Sequence, residues 1–578
     1  MKNIYDMEFY KRDRQKYTDA IINSTSKKKL VIGGPGTGKT YLFKSLLSKV
    51  RSDSGKPGLV LTFIKNLVAD LETDLKGLAK VSTFHAYCKS ILDTFKNRSF
   101  EYYPHILEVI AKDFDILGQR KCKKEDIEKA FFSLKDKDLI KLTIKIGDYY
   151  NAGGHTDSVY RVTRYFESDH ERIPVYPLVI FDEYQDFNFI ETKLAELLYS
   201  KSPVLIVGDD DQALYGFKQA SPKYIRQLAQ NTEFKKFELP YCSRCTKVIV
   251  RATMKVISKA KENGLLKDRI DKPFKYFPPD KHADSQANPS IINVNCSVER
   301  NNCHYIGKYI AKEISNIPIL CIQDSEKHPE PTVLVIGPKQ FLNGVKNEIS
   351  KKFNVDLEEK QEDKIDILDG YKMIAKNPKS RLGWRILLHF DPCGNAEKII
   401  SDSISTNKDI IDSIVSNKYI SQHCELSKIV KKISLGLDLI PEERQKIEAG
   451  VSLSFEEIKT KLSDTNREDS TTSGQAPNNK ALLPRILCTS FEGSKGLAAQ
   501  YVFIVGVNEG HFPRKNPPQD IDIFRLIVGL TRTRKRCYMI SCNHFGSERL
   551  NPSIYKAWLG KELSKEIYVD KDYVNKFC

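Results

Sequence analysis

The segment GGPGTGKT, Gly33 to Thr40, constrains this chain more than any other. A short apolar strand, Lys29 to Ile32, runs into it, and YLFKSLLSKV follows with apolar residues at helical spacing. A strand, a loop of the form G-x-x-x-x-G-K-[ST] and a helix together make a phosphate-binding loop. In Gly33, Gly34, Pro35, Gly36, Thr37 and Gly38 the glycines let backbone N–H groups close around phosphate oxygens, helped by the helix N-terminus. Lys39 is placed to neutralise β- and γ-phosphates, and Thr40 to hold Mg²⁺.

The loop requires a strand–helix alternation, and the chain continues one. GLVLTF (Gly58 to Phe63) leads into LVADLETDLKGL, and VSTFHAYCKSIL (Val81 to Leu92) begins as a strand and ends as an amphipathic helix. After a mainly helical stretch come YPLVIFD (Tyr176 to Asp182), PVLIVGD (Pro203 to Asp209) and KFELP (Lys236 to Pro240). Such alternation implies a parallel sheet covered on both faces, with ligands at the carboxyl ends of its strands. A second alternation begins at IINVN near Ser290 and reaches PTVLVIG. It is interrupted by helices and by the polar stretch LSDTNREDSTTSGQAPNNK, a flexible loop by composition. It resumes with PRILCTSF, QYVFIVGV, FRLIVGLTRTR and CYMISC.

A formal net charge of +17 points to a polyanionic partner, and no apolar run reaches the length of a membrane span. The N-terminus lacks the apolar core of a secretory signal. Thirteen cysteines without a disulfide framework fit a reduced, cytoplasmic location. Cys242-Ser-Arg-Cys245 is the one CxxC, with Cys296 and Cys303-His304 beyond it; without a second CxxC these read as packing residues rather than a zinc site.

LVIFDEYQD, Leu178 to Asp186, delivers Asp182 and Glu183 at a strand end. Asp182 suits a water-mediated Mg²⁺ contact, and Glu183 suits orienting and deprotonating an attacking water. VGDDDQALYGFKQA then places carboxylates and an amide within ten residues of two aromatics. The acidic end suits a metal-bound phosphate and the aromatic end a nucleobase.

Together with TFHAYC, this ordered set resembles the UvrD/Rep family of superfamily 1 helicases, type A, over nearly the whole chain. The resemblance implies an α/β fold of two RecA-like P-loop NTPase lobes with parallel sheets, each carrying a mainly helical insertion. Residues 1–92 and 178–235 would form the first lobe and 93–177 its insertion. Residues 236–349 and 481–578 would form the second lobe, and 350–480 a reduced insertion. Site roles are implied too. Gln15 would read adenine, Gln212 would sense γ-phosphate, and Arg244 and Arg532 would reach ATP from the second lobe. Lys495 and Gly496, in Ser494-Lys-Gly-Leu497, fall in a further ATP-site motif. Thr62 and Phe63, then Thr83, Phe84 and His85, match single-strand contacts, and Tyr215, Phe217 and Lys218 the base-stacking position. ATP and Mg²⁺ are the implied cofactors, and single-stranded and duplex DNA the implied partners.

This chain departs from the family pattern in places. Phe217 and Lys218 stand for the family's tryptophan and arginine, and Ser243 for a tyrosine, with Tyr241 near it. Glu492 stands for a histidine and Ala498 for a ribose-binding glutamate, which implies relaxed sugar and base selectivity. About 35 residues after CYMISC imply no fused nuclease, so a separate nuclease partner in repair or anti-phage defence is an expectation by analogy. The expected activity is ATP-driven 3′→5′ movement along single-stranded DNA with duplex unwinding. Two other readings stand beside it: a translocase without strand separation, and an ATP-switch regulatory subunit. RNA as a track also stays open, because stacking and phosphate contacts do not select the sugar.

Overall fold

A computed structural model describes residues 6–63, 65–95, 100–297, 303–326, 330–357, 364–467 and 483–578. The strand after the phosphate-loop strand lies three places away in the first sheet, with two strands between them. The order is Ala79–Thr83, Gly58–Thr62, Val179–Phe181, Val204–Gly208, Lys28–Gly33, Lys235–Leu239, all parallel. Alternate residues of each strand enter opposite cores. Leu30 and Ile32 pack on one face with Leu59, Leu61 and Phe181. Val31 packs on the other with Leu42, Phe43, Val60 and Ile180. Burial on both faces is why these strands read as unbroken apolar runs.

The second sheet has seven strands, in the order Val355–Leu357, Ile486–Thr489, Val333–Ile336, Ala499–Ile504, Thr533–Cys542, Ile291–Cys296, Ser564–Val569. These pairings are parallel as well. The α/β class and paired parallel sheets expected from the sequence are therefore present. Two strands fall across the expected lobe limits. Lys235–Leu239 pairs with Lys28–Gly33 in the first sheet, although residue 236 opens the expected second lobe. Val355–Leu357 edges the second sheet, although it lies inside the expected insertion. Of the expected flexible loop, Leu462 to Arg467 ends the helix Phe455–Arg467, and 468–480 lies outside the described residues.

The two helical segments, Ile106 to Tyr150 and Ile367 to Arg467, pack on each other. Ile110, Phe114 and Ile140 share one core with Tyr371, Trp384, Leu387 and Val430. At its centre the Arg385 guanidinium donates to Asp113 at 2.6 Å, and the Tyr150 hydroxyl donates to the same carboxylate at 2.6 Å. Arg385 and Asp113 are both buried. Tyr149 donates to the Lys408 carbonyl, and Arg381 lies 4.5 Å over the Tyr149 ring. Polar and apolar contacts thus fasten the segments into one helical unit. Breaking a buried pair leaves an unpaired charge, which costs about 3–5 kcal/mol, whereas apolar replacement of both partners is near neutral. Asp113→Ala is expected to lose stability on that scale in urea unfolding, and Asp113→Leu with Arg385→Met to recover most of it.

The helix Phe189–Lys201 backs the first sheet through a reciprocal cap: Glu191 N donates to Asn188 Oδ1 and Asn188 N to Glu191 Oε2. Burial pushes the Glu191 carboxyl up to about 7, against the lowering effect of the Asn188 N–H bond. From the ordinary glutamate value of 4.5 up to about 7, the folded chain holds a proton that the unfolded chain has released. This group's contribution is therefore present at low pH and lost as pH rises through that window. Glu191→Gln is expected to raise the thermal midpoint at pH 8 and to change it little at pH 4.5.

Candidate ATP site and nucleic-acid interface

The phosphate loop turns through two residues in left-handed conformation, Gly36 at φ 65° and Gly38 at φ 91°, where glycine is the residue without steric cost. The loop is crowded as well. A Cβ on Gly36 would lie 2.3 Å from the Arg244 Cβ, and one on Gly34 3.0 Å from the Phe274 ring. Thr37 Oγ1 donates to the Gly34 carbonyl at 2.9 Å, and the helix Lys39–Ser54 begins at once. Lys39 and Thr40 therefore start the helix whose N-terminus faces the loop.

Lys39 Nζ donates to Glu183 Oε1 at 2.7 Å and lies 3.9 Å from Asp182. Burial pulls the ammonium down, but the Glu183 and Asp182 charges outweigh it and raise it to about 12. Glu183 has φ 54°, a conformation that costs a non-glycine residue about 1–2 kcal/mol. Burial pushes its carboxyl up, while Lys39 and Lys495 pull it further down, so it stays ionised. Burial and the adjacent Glu183 charge push Asp182 up. A carboxylate held in this way gains from an added cation, and hard oxygen donors such as Asp182 and the Thr40 hydroxyl fit Mg²⁺.

From Glu183 a chain of hydrogen bonds crosses to the second sheet. Gln185 donates to Glu183 at 2.5 Å and accepts from Asp209 N at 3.0 Å. Gln212 Nε2 donates to Asp209 at 2.7 Å, and Gln212 Oε1 accepts from Arg532 at 3.0 Å. Arg532 caps the helix Asp520–Thr531 and also donates to the Leu497 carbonyl. Burial and the nearby Arg244 charge push Arg532 down to about 9, still cationic at neutral pH. Arg244 is half-buried beside Gly36, and Ser243 N and Oγ donate to the Gly36 carbonyl at 2.9 and 3.1 Å. Two arginines close enough to repel each other, one of them against the phosphate loop, are stabilised by an anion between them.

Lys495 joins the acidic groups of the first sheet. Its ammonium is buried, paired with Asp186, donates to the Gln212 carbonyl at 2.7 Å and lies 3.7 Å from Glu183. It also sits 5.6 Å from the Tyr215 ring. Gly496 follows at φ 87°. Gln15 lies on the exposed side of its helix, donating to Asp19 at 2.7 Å, whereas Arg14 is the side chain that approaches the loop at Gly38.

Tyr215, Phe217 and Lys218 gather with Phe63. The Phe63 and Tyr215 centroids are 4.8 Å apart, those of Tyr215 and Phe217 5.9 Å, and the Lys218 ammonium lies 4.9 Å from the Phe63 ring. Phe217 is 66% exposed, a flat surface open to a base. Thr62 is buried at its strand end, and Thr83 Oγ1 caps the next helix by accepting from Ala86 N. Phe84 does not join the exposed cluster: it is 2% exposed, edge-on to Phe187. His85 lies between the two, 5.2 Å from His155, with its imidazole held at about 3 by burial and by the charges of His155 and Lys218.

The sequence reading takes the acidic end of GDDDQ to suit a metal-bound phosphate and misses the two cations, Lys272 and Arg269, that neutralise it. Asp209, Asp210 and Asp211 are buried, and Lys272 reaches all three, at 2.9 Å from both Asp209 and Asp211. Arg269 donates to Asp211 at 2.9 Å. These carboxylates are the one metal-like cluster among the described residues, and both cations already neutralise them. No cysteine–histidine cluster with ligand spacing occurs among the described residues. Lys272 could not be found in advance because it lies over sixty residues beyond the aspartates, in KDRIDKPF, which reads as a solvated charge run. Glu492, in the family's histidine position, pairs with Arg525 at 2.8 Å, while its carbonyl accepts from Tyr215; Ala498 is buried.

A parallel sheet with a phosphate loop, an acidic pair at the end of the strand two places away and Arg532 at the start of a strand of a second parallel sheet define a two-lobed P-loop NTPase. The AAA domain family model matches residues 18–218. A probable DNA helicase II homolog of Mycoplasma pneumoniae is 21% identical over 575 residues, covering 91% of this chain and 76% of that protein. The ATP-dependent DNA helicase Rep of Buchnera aphidicola is 52% identical over 44 residues, 7% of each chain. DNA helicase II of Haemophilus influenzae is 32% identical over 81 residues, 14% of this chain and 11% of its own. These likenesses support the resemblance to the UvrD/Rep-like superfamily 1 helicases.

Lys272 holds the loop that carries Gln212, so its loss is expected to act on turnover. Misplacing a catalytic group by about 1 Å can cost roughly 10²-fold in rate. Lys272→Met is expected to lower kcat for ATP hydrolysis on that scale with KM little changed, and Lys272→Arg to restore most of it.

Proposed function

We propose that the chain is an ATP- and Mg²⁺-dependent DNA helicase that moves 3′→5′ along single-stranded DNA. The observation that carries the reading is the sharing of one loop, Gly208 to Lys218, by the ATP site and the base-stacking surface. Gln212 is bonded to Arg532, and Tyr215 is joined to the second lobe through the Glu492 carbonyl and Lys495. A change at the γ-phosphate therefore bears on the surface that grips a base. Each stacked base is worth roughly 1–3 kcal/mol without reading sequence.

The residues divide the chemistry between them. Thr40 and Asp182 would hold Mg²⁺, which supplies charge neutralisation on the β- and γ-oxygens when bound. Lys39 is shared between Glu183 and the triphosphate. When phosphate oxygens draw the ammonium away, the Glu183 carboxylate is released to accept a proton from the attacking water. Arg244 and Arg532 meet the charge that spreads over the transferred group, a role worth about 10³–10⁵ in rate for such arginines.

The 3′→5′ direction rests on the family resemblance, and a role in DNA repair or anti-phage defence beside a nuclease rests on analogy. A translocase that does not separate strands would use the same residues. An ATP-switch subunit would not need the exposed Phe217 next to Gln212.

The test is ATP hydrolysis by wild type and Glu183→Gln with single-stranded DNA, duplex DNA or single-stranded RNA. Strong stimulation by single-stranded DNA, lost in Glu183→Gln, is expected, with unwinding of 3′-tailed but not 5′-tailed duplexes. Turnover indifferent to every nucleic acid would overturn the helicase reading, and stimulation without unwinding would favour the translocase.

A further inference from the structure

We propose that His155 and Tyr102, both in the expected first insertion, form a second stacking station for a single-stranded nucleic acid, with Lys89 beside it for a phosphate. The inference rests on reading Phe63, Tyr215 and Phe217 as the first station. It extends that track into a part of the chain that none of the quoted family motifs reaches.

The first sheet sets the two stations side by side. Thr62 and Thr83 are register partners at the ends of neighbouring parallel strands, and such strands lie about 4.8 Å apart. Phe63 follows the first strand, and the helix Phe84–Phe95 follows the second. His85 and Lys89 are four residues apart on that helix and therefore share a face. Beyond it, the short strands Glu101–Tyr102 and Ala152–Gly153 pair in parallel, with Tyr102 opposite Gly153. That pairing carries Tyr102 to His155, the first residue of the helix His155–Ser168.

The rings that meet there form a strip. His85 and His155 have centroids 5.2 Å apart at 52°, and His155 and Tyr102 5.2 Å apart at 78°. The Tyr102 hydroxyl and His155 Nδ1 are hydrogen-bonded. A bond in the imidazole plane fixes the direction of the ring without covering its faces. His155 is exposed, whereas His85 and Tyr102 are half-buried. The Lys89 ammonium lies 5.1 Å from the Tyr102 ring. Lys218, from the first station, is close enough for its charge to act on His85, so the two groups of rings adjoin.

An exposed ring held in one direction suits an unpaired base, because every base offers it a π-face. A base inside a duplex already has both faces stacked, so the station selects single strand. Lys89 adds a flexible point charge for the neighbouring phosphate. The nearby Asp157 carboxylate would repel that phosphate, but it is taken up by Arg161 at 2.7 Å and by the Gly154 N–H at 2.6 Å.

The test measures binding of the full chain to labelled oligothymidylates of about 4 to about 16 nucleotides by fluorescence anisotropy. The shortest are held at the first station, and longer ones reach both. His155→Ala is expected to leave the shortest oligomers at wild-type affinity and to weaken the longest about tenfold, within the range for one stacked base. His155→Phe is expected to restore that affinity, because the ring returns without the bond to Tyr102. Lys89→Gln is expected to flatten the slope of log affinity against log salt by about 0.7, the share of one phosphate contact on a single strand. If His155→Ala binds every length as the wild type does, the second station is overturned. The same holds if His155→Phe binds no better than His155→Ala, the result expected of a bond that only fastens the two short strands. An unchanged slope in Lys89→Gln would strike the phosphate contact. Affinity lost at every length in Phe217→Ala, with His155→Ala unaffected, would leave the functional reading standing and sink this one alone. A wild type that binds no oligomer would sink both.

Discussion

A carboxylate taken out of water costs several kcal/mol unless a cation and hydrogen bonds meet it. This chain buries Asp182, Glu183, Asp186, Asp209, Asp210 and Asp211 at the carboxyl ends of its first sheet. The surrounding structure follows from supplying their partners. Lys39 comes from the phosphate-loop helix, and Lys495 from the loop after the strand Ile486–Thr489 of the second sheet. Lys272 and Arg269 come from the segment that joins the lobes. The sheets are held together where the acids must be neutralised, and that place is the candidate ATP site.

Such a seam is suited to a motor because its cations are shared. Lys39 has Glu183 as its partner here, yet its phosphate-loop position serves a triphosphate. Arg532 is bonded to an uncharged amide and two carbonyls, a weak set of partners for a buried guanidinium. A phosphate anion is a stronger partner for both. Gln212, Lys495 and Tyr215 connect these groups to the exposed aromatic cluster. The helical unit is closed by its own buried pair, Arg385 and Asp113, so the two insertions of the chain meet as one body.

The departures from the family pattern also have local physical explanations. Glu492 has Arg525 as a partner, which a histidine would not need, and its carbonyl serves Tyr215. Ala498 is fully enclosed, so a glutamate there would bury a charge among apolar groups. The bend Tyr241 to Cys245 keeps a tyrosine, but its hydroxyl is committed to Asp13, and Ser243 takes up the contact with the phosphate loop.

The sequence by itself determined the strand–loop–helix at Gly33 to Thr40, both apolar strand sets and the Asp182–Glu183 pair. Each is written in contiguous residues whose spacing has one economical fold. It also marked Gln212, Arg532 and the aromatic pair, because family motifs are local. The tertiary structure decided the rest. It turned Phe84 into the core while leaving Phe217 outside, since a helix face and a loop tip obey different burial. It paired Lys495 with Asp186, and it set Arg14 beside the loop at Gly38 with Gln15 on the exposed side of its helix. It brought Lys272 to three aspartates far behind it in the chain, and the helices of 106–150 to those of 367–467. Charge pairing and burial act through space, and no local pattern records which distant residue will meet a given one.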